Sequence, residues 1–100
     1  MTKSTNLRDE AKGRDCTIRI PGYCRNDTRT TVLCHLYAEG TSKKCDDRHA
    51  AIGCSVCHDI VDYRNRNPVI KGKMTKDDID LDFYMAVIIT QKIWIKEGLM

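Results

Sequence analysis

The chain has 100 residues, of which 41% are apolar and 31% charged, and its formal net charge is +3. This length corresponds to one small domain, and so short and polar a chain buries a thin core that often depends on a metal or disulfides. No stretch approaches the roughly 20 apolar residues of a membrane span, so we expect no membrane-spanning segment.

The N-terminal segment, MTKSTNLRDEAKGRDC, is charged and lacks the apolar run of a signal peptide. We therefore expect a cytoplasmic protein, in which thiols stay reduced and clustered cysteines act as metal ligands rather than as disulfides. Residues 1–15 predict a basic helix or arm ahead of the first cysteine.

Four of the six cysteines form two local pairs. Cys16 and Cys24 flank TIRIPGY, in which a Pro-Gly turn folds the segment back and brings the two sulfurs together. Cys54 and Cys57 form the second pair. Structural zinc is usually bound by two such pairs from separated segments, at Zn–S distances of about 2.3 Å. The sequence therefore predicts one structural Zn²⁺ site.

The other two cysteines have no close partner in the sequence. Cys34 lies in TTVLCHLY, a β-branched run that predicts a strand over residues 31–37. Alternation along this strand puts Cys34 on one face and His35 on the other. We expect Cys34 to be a small buried hydrophobe and Cys45 to be a loop thiol. Zinc ligation by either is the alternative.

Helix-capping and helix-stop residues, together with apolar periodicity, predict the remaining elements. A second strand is predicted over 50–54 and a helix over 55–64, ended by Asn67-Pro68 because the residue before proline avoids the α region. A linker follows over 69–73. Thr75 and Asp78 resemble a capping box that opens a last helix running to Glu97. We expect one apolar stripe of this helix to pack on the core. The stripe comprises Leu81, Tyr84, Met85, Ile88, Ile95 and part of Trp94.

Residues 54–58, CSVCH, also fit the C-x-x-C-H pattern of covalent haem attachment. Haem is disfavoured because its attachment normally requires export, and because a cytochrome has no use for Cys16 and Cys24. The partners predicted therefore exclude haem.

The histidines suggest a second metal site. His58 and Asp62 stand four residues apart, on one helix face, and can hold one divalent ion in an open site. His35 on the strand would face that ion across a small groove. The plainer alternatives are an ordinary strand histidine, a surface carboxylate at Asp62, and a zinc-bound His58.

The segments CTIRIPGYC, TTVLCHLY, CSVCHDIVDYR and IWIKEG together resemble the HNH (ββα-metal) endonucleases that carry a four-cysteine zinc, in particular the YbcO-like nucleases of prophages. The resemblance covers roughly residues 7–98. It implies an α+β fold: a single domain, 1–100, with a zinc-stapled ββα-metal core over 16–66 and an additional C-terminal packing helix over 75–97.

The resemblance also implies roles for individual residues. His35 matches the general base that activates water, and His58 matches a ligand of the catalytic Mg²⁺ or Mn²⁺. Asp62 occupies the place of a further ligand of that ion. The family's central asparagine is missing, and Asp47 or His49 is the candidate to fix the loop between the strands in its place.

The implied function is a metal-dependent DNA endonuclease that hydrolyses phosphodiester bonds, of phage or prophage origin, with a role in DNA processing or recombination. Four basic clusters could contact phosphates, although a solvated surface is the alternative for each. The clusters are Lys3, Arg8, Lys12 and Arg14; Arg25 and Arg29; Lys43, Lys44 and Arg48; and Arg64 and Arg66. The alternative function is a non-catalytic zinc module that binds nucleic acid or protein. The oligomeric state stays open.

Overall fold

The computed structural model describes residues 7–36 and 45–100. Its elements are helix α1 (Leu7–Ala11), strands β1 (Val32–His35) and β2 (Ala50–Gly53), and helices α2 (Ser55–Val61), α3 (Asn67–Ile70) and α4 (Lys76–Lys96). A single 3₁₀ turn, Asp47–His49, precedes β2. The described residues thus form a small α+β domain, as predicted, with a two-stranded sheet. None of the helices described is long and apolar enough to cross a membrane.

The two strands pair antiparallel, with Leu33 opposite Ile52 and Cys34 opposite Ala51. Cys34 and Ala51 belong to the larger core, whereas Leu33 and Ile52 belong to a smaller core on the other face. The predicted alternation is therefore present, and Cys34 is buried as expected. β1 is shorter than the predicted strand over 31–37, and residue 37 lies outside the described range.

Both faces of the sheet are covered. The larger core joins the cysteine-bearing segments to α2 and to the first half of α4; its buried members are Cys16, Ile18, Ile20, Cys34, Ala51, Cys54, Cys57, Ile60, Val61, Ile79, Phe83, Ala86 and Val87. The smaller core joins α1 to the end of α4; its buried members are Leu7, Ala11, Leu33, Ala50, Ile52 and Trp94. The sheet therefore separates two hydrophobic clusters.

Helix α2 ends at Val61, earlier than the predicted 64. Tyr63 has φ 61°, in the left-handed region, which stops the helix. The prediction that Asn67-Pro68 ends a helix is wrong, because these residues begin α3, with proline in its first turn. Proline is favoured there because the first N–H groups of a helix have no partner within it. The predicted linker over 69–73 accordingly begins with two helical residues.

Helix α4 begins with the predicted capping box. The Asp78 amide donates to Thr75 Oγ1 at 3.1 Å, and the Thr75 amide donates to Asp78 Oδ2 at 3.0 Å. Gly98, with φ 75°, follows the last turn. The local signals thus set both ends of this helix.

The prediction that this apolar stripe of α4 packs on the core is wrong, except for Trp94. Leu81 is 59% exposed, Ile88 47% and Ile95 62%. The buried face consists of Ile79, Phe83, Ala86, Val87, Thr90 and Trp94. Both faces of α4 are apolar, so periodicity alone could not decide which faces inward. The small side chain of Thr90 lets the helix approach the sheet, and its Oγ1 accepts from the Ile52 amide at 3.2 Å.

Candidate metal centres and catalytic residues

The predicted cysteine pairs meet in space. The Sγ atoms of Cys16, Cys24, Cys54 and Cys57 all lie within 4.8 Å of one another, with Cys24 and Cys54 at 3.9 Å. Sulfurs at the corners of a tetrahedron with Zn–S bonds of 2.3 Å are about 3.8 Å apart. The four cysteines can therefore hold one metal ion, and the donor set fits zinc.

Local structure positions these sulfurs. The amide of Cys24 donates to Ile20 O at 2.9 Å, which closes the Pro-Gly turn. Cys54 is the residue before α2 and Cys57 lies in its first turn. The amide of Asn26 donates to Cys24 Sγ at 3.3 Å, and that of Arg19 to Cys16 Sγ at 3.5 Å. Such amide donors stabilise sulfur that carries negative charge.

The clustered thiols also shift one another's pKa values. The hydrogen bond with Cys57 lowers the pKa of Cys16 to about 4. The same bond, together with burial, raises the pKa of Cys57 above its ordinary value. Both shifts describe a Cys57 thiol that donates to a Cys16 thiolate. Four sulfurs this close lose all their protons only when a cation lies among them.

His58 and Asp62 form the second candidate centre. His58 Nε2 lies 3.2 Å from Asp62 Oδ2, on a carboxylate that is only 6% exposed. Asp62 Oδ2 is buried and has no hydrogen-bond partner among the described residues. Two ligand atoms of one divalent ion stand about 3 Å apart. The pair therefore fits such an ion, and Arg64 Nη2, 3.6 Å from the same oxygen, lies at its edge.

His35 belongs to a different arrangement. Its Nε2 lies 2.7 Å from Asp47 Oδ1, and Arg8 Nε donates to the same oxygen at 3.1 Å. The hydrogen bond with His35, and then the one with Arg8, hold the pKa of Asp47 below its ordinary value. An ionised carboxylate accepts a hydrogen bond from Nε2–H, which leaves Nδ1 as the basic atom of a neutral ring.

Of the two candidates for the missing asparagine, only Asp47 contacts His35 in the described structure. His49 is exposed, and its Nδ1 lies 3.3 Å from Asp46 Oδ1. The sequence placed both residues in the same short segment and could not distinguish them. The 3₁₀ turn makes the distinction, because it directs the Asp47 carboxylate towards β1.

The described contacts do not join the His35–Asp47 pair to the His58–Asp62 pair. His35 shares its strand face with Leu33, which packs in the smaller core, whereas α2 packs in the larger core. The residue after His35, Leu36, lines one pocket with Asp62. The end of β1 therefore lies beside the end of α2.

Carboxylates neutralise most of the predicted basic clusters. Among the described residues, Arg25 and Arg66 are the cluster arginines without an ion pair. Paired cluster members are Arg8 with Asp47, Lys12 with Asp9, Arg14 with Glu10 and Glu97, Arg29 with Asp27, Arg48 with Asp46, and Arg64 with Asp59 and Asp62. Lys3, Lys43 and Lys44 lie outside the described residues.

The sequence interpretation missed a polar group beside Asp62. The Tyr63 hydroxyl donates to Asp80 Oδ1, and Lys76 Nζ donates to Asp80 Oδ2 at 3.1 Å. Burial, and then the bond to Asp80, raise the pKa of Tyr63 to about 12. These side chains line the same pocket as Asp62. Tyr63 has a left-handed backbone conformation. No local sequence pattern predicts that conformation.

Comparisons with known proteins agree with this architecture. The family model described as "Putative nuclease YbcO" matches residues 5–99. Two proteins with that same description, from Escherichia coli K12 and from Enterobacteria phage 82, are each 38% identical over 98 residues, covering 95% of this chain and 96% of theirs. A solved structure, "Structure of a putative bacteriophage protein from Escherichia coli str. K-12 substr. MG1655", superposes with TM-score 0.75 at 33% identity, over 93% of this chain and 100% of that one. The chain therefore belongs to the YbcO family, whose model carries the description "Putative nuclease YbcO".

Proposed function

We propose that this protein is a metal-dependent DNA endonuclease of the HNH type. The observation that carries the proposal is the His58–Asp62 pair, in which two potential ligand atoms lie 3.2 Å apart and the buried Asp62 Oδ2 has no hydrogen bond from the described residues. A buried carboxylate oxygen without a donor is costly unless a cation or water satisfies it.

His58 and Asp62 would hold Mg²⁺ or Mn²⁺. When bound, such an ion supplies positive charge that stabilises the scissile phosphate and its leaving oxygen. Arg64, at 3.6 Å from Asp62 Oδ2, adds charge beside the same site. His58 lies in α2 and Asp62 directly follows its last residue, so the pair would supply only two ligands and leave other positions on the ion for a phosphodiester oxygen.

His35 is the proposed general base. Asp47 holds the proton on Nε2, so that Nδ1 accepts the proton of the attacking water. Asp47 also stabilises the imidazolium that this transfer forms, as a carboxylate behind a catalytic histidine does. Arg8 holds the Asp47 carboxylate in turn, at 3.1 Å.

The cysteine cluster has a structural role in this proposal. A Zn²⁺ held by Cys16, Cys24, Cys54 and Cys57 would tie the N-terminal turn to the start of α2, which carries His58 and is directly followed by Asp62. A metal of this kind contributes directly to folding free energy in a small domain. We assign the protein to the cytoplasm and to phage DNA processing or recombination, in keeping with the phage relative.

A non-catalytic zinc module is the second candidate. It is favoured by one observation: described contacts place His35–Asp47 and His58–Asp62 in separate groups. A module that only binds nucleic acid or protein requires no water activation and no open second metal site.

Nicking of supercoiled plasmid, with and without Mg²⁺ or Mn²⁺, distinguishes the two. We expect metal-dependent nicking by the wild type and a loss of about a hundredfold in His35→Ala, which removes a positioned base. The matched control is His49→Ala, which changes an exposed histidine of the adjoining turn. DNA binding without cleavage under every divalent metal tested would favour the module. An active His35→Ala enzyme would remove His35 from the mechanism.

A further inference from the structure

A cavity of about 370 Å³ adjoins the His58–Asp62 pair, because Asp62 is one of its lining residues. Its size falls in the range of roughly 300–1,000 Å³ that is usual for small-molecule pockets. Three aromatic side chains line it. Phe83 is buried, at 6% exposed, whereas Tyr84 is 54% exposed. The third is Tyr63, which directly follows Asp62. The cavity therefore combines buried aromatic surface with an accessible aromatic ring.

One face of α4 supplies the accessible side of this cavity. Lys76, Asp80 and Tyr84 follow one another at intervals of four residues, so their side chains share a face of the helix. Lys76 Nζ donates to Asp80 Oδ2 at 3.1 Å and lies 4.9 Å from the centre of the Tyr63 ring. The Tyr63 hydroxyl donates to Asp80 Oδ1. These contacts hold a donor, the Lys76 ammonium, beside an acceptor, the Asp80 carboxylate, which keeps spare lone pairs.

Charge limits what the cavity can hold. Asp62 and Asp80 outnumber Lys76 among its charged side chains, so the cavity does not attract an anion such as phosphate. A neutral planar group suits it better, because its faces can stack on the Tyr84 ring while its polar edge meets the Lys76–Asp80 pair. A nucleobase has this chemistry. Each of the four DNA bases carries a donor next to an acceptor on its Watson–Crick edge, so the pair accommodates all four.

We propose that this cavity receives one unstacked nucleobase of single-stranded DNA, with Tyr84 as the stacking ring. The inference rests on the proposed nuclease function, which puts the scissile phosphate at the His58–Asp62 centre. A nucleobase is joined to its phosphate by a single sugar, so one that lies in the cavity belongs to a nucleotide at or next to the scissile bond. In a duplex the bases are paired and stacked within the helix, so their Watson–Crick edges cannot enter the cavity. The cavity therefore favours a single strand over a duplex.

Fluorescence anisotropy of a labelled phosphorothioate oligothymidine strand, which resists cleavage, tests the proposal on the full chain, with and without Mn²⁺. We expect Tyr84→Ala to raise the dissociation constant of the single strand by about 5–100-fold, the usual worth of one stacked base. Tyr84→Phe keeps the ring and should bind as the wild type does. The matched control is Ile95→Ala, at another exposed side chain of α4 that does not line the cavity; it should leave the constant unchanged. The corresponding duplex should bind more weakly than the single strand and should not respond to Tyr84→Ala.

Photocross-linking locates the bound nucleobase. A strand that carries 5-iodouracil should cross-link to the segment containing Tyr84, as identified by mass spectrometry, and Tyr84→Ala should lose this product while its circular dichroism stays that of the folded wild type. No binding of the single strand, an unchanged dissociation constant in Tyr84→Ala, or cross-links only outside the cavity would overturn the proposal.

Plasmid nicking separates this proposal from the nuclease function. A protein that nicks DNA but fails the binding and cross-linking tests keeps the nuclease function and loses the nucleobase cavity. A protein that passes both tests but never nicks DNA keeps the cavity and loses the nuclease function.

Discussion

The His35 ring and the Asp47 carboxylate meet at 2.7 Å between Nε2 and Oδ1, and this contact links β1 to the turn before β2. In the proposed mechanism Asp47 is a positioning residue, because it acts on water only through His35. Asp47→Ala should lower the cleavage rate by about 10–100-fold, the usual cost of losing such a partner. Long-range ¹⁵N–¹H NMR should show the His35 proton on Nε2 in the wild type and a mixture of tautomers in the variant. An unchanged tautomer would leave Asp47 with a purely structural role.

The same contact predicts a dependence of stability on pH. The pKa of Asp47 is lowered in the folded protein, first by the hydrogen bond with His35. Its contribution to stability is therefore fully present above the unfolded pKa of about 3.9 and is lost as pH falls through the lower folded value. The difference in urea midpoint between wild type and Asp47→Ala should shrink below about pH 4. A difference that stays constant down to pH 2 would contradict this linkage.

Loss of one zinc ligand should unfold most of the domain. Cys24→Ser removes one of the four sulfurs that lie within 4.8 Å of one another. We expect elemental analysis to find about one zinc per wild-type chain and much less in the variant, with a loss of helical circular dichroism. Cys45→Ser is the matched control, because Cys45 lies outside the cluster. A folded Cys24→Ser protein with full zinc would exclude this residue from the ligand set.

The second centre should bind its ion independently of the zinc. Asp62→Asn keeps the shape of the side chain but removes the charge beside His58, so the variant should need at least about tenfold more Mn²⁺ for half-maximal cleavage. Paramagnetic broadening of the His58 ring signals by Mn²⁺ gives a readout that does not require activity. Asp59→Asn, on the same helix and more exposed, is the control. Equal broadening in wild type and Asp62→Asn would show that Asp62 is no ligand.

The sequence specified this fold best where signals were local. The cysteine pairs, the capping box at Thr75 and the alternation around Cys34 depend on short-range geometry, and all are present. The inward face of α4 depends instead on which apolar side fits the sheet. The inward face combines the small side chains of Ala86 and Thr90, which permit close approach to the sheet, with larger ones such as Phe83 and Trp94.

The candidate site, too, was predictable only where its contacts are local in sequence. Spacing along a helix was enough to bring His58 to Asp62, since residues four apart share a face. The choice of Asp47 over His49 required a turn whose orientation only the tertiary structure provides. The polar group around Tyr63 required a left-handed residue that interrupts an otherwise helical pattern.

The position of Trp94 allows the two sides of the sheet to be followed separately during unfolding. This is the chain's single tryptophan, and it is fully buried in the smaller core, whereas the four clustered cysteines lie in the larger one. Arg14 stacks on its ring at 5.0 Å. Fluorescence therefore follows the contact between α1 and the end of α4, while ultraviolet absorption of a Co²⁺-substituted cysteine cluster would follow the other side of the sheet. Recorded together during metal chelation, the two signals would tell whether the two cores unfold as one cooperative unit or in two separate steps.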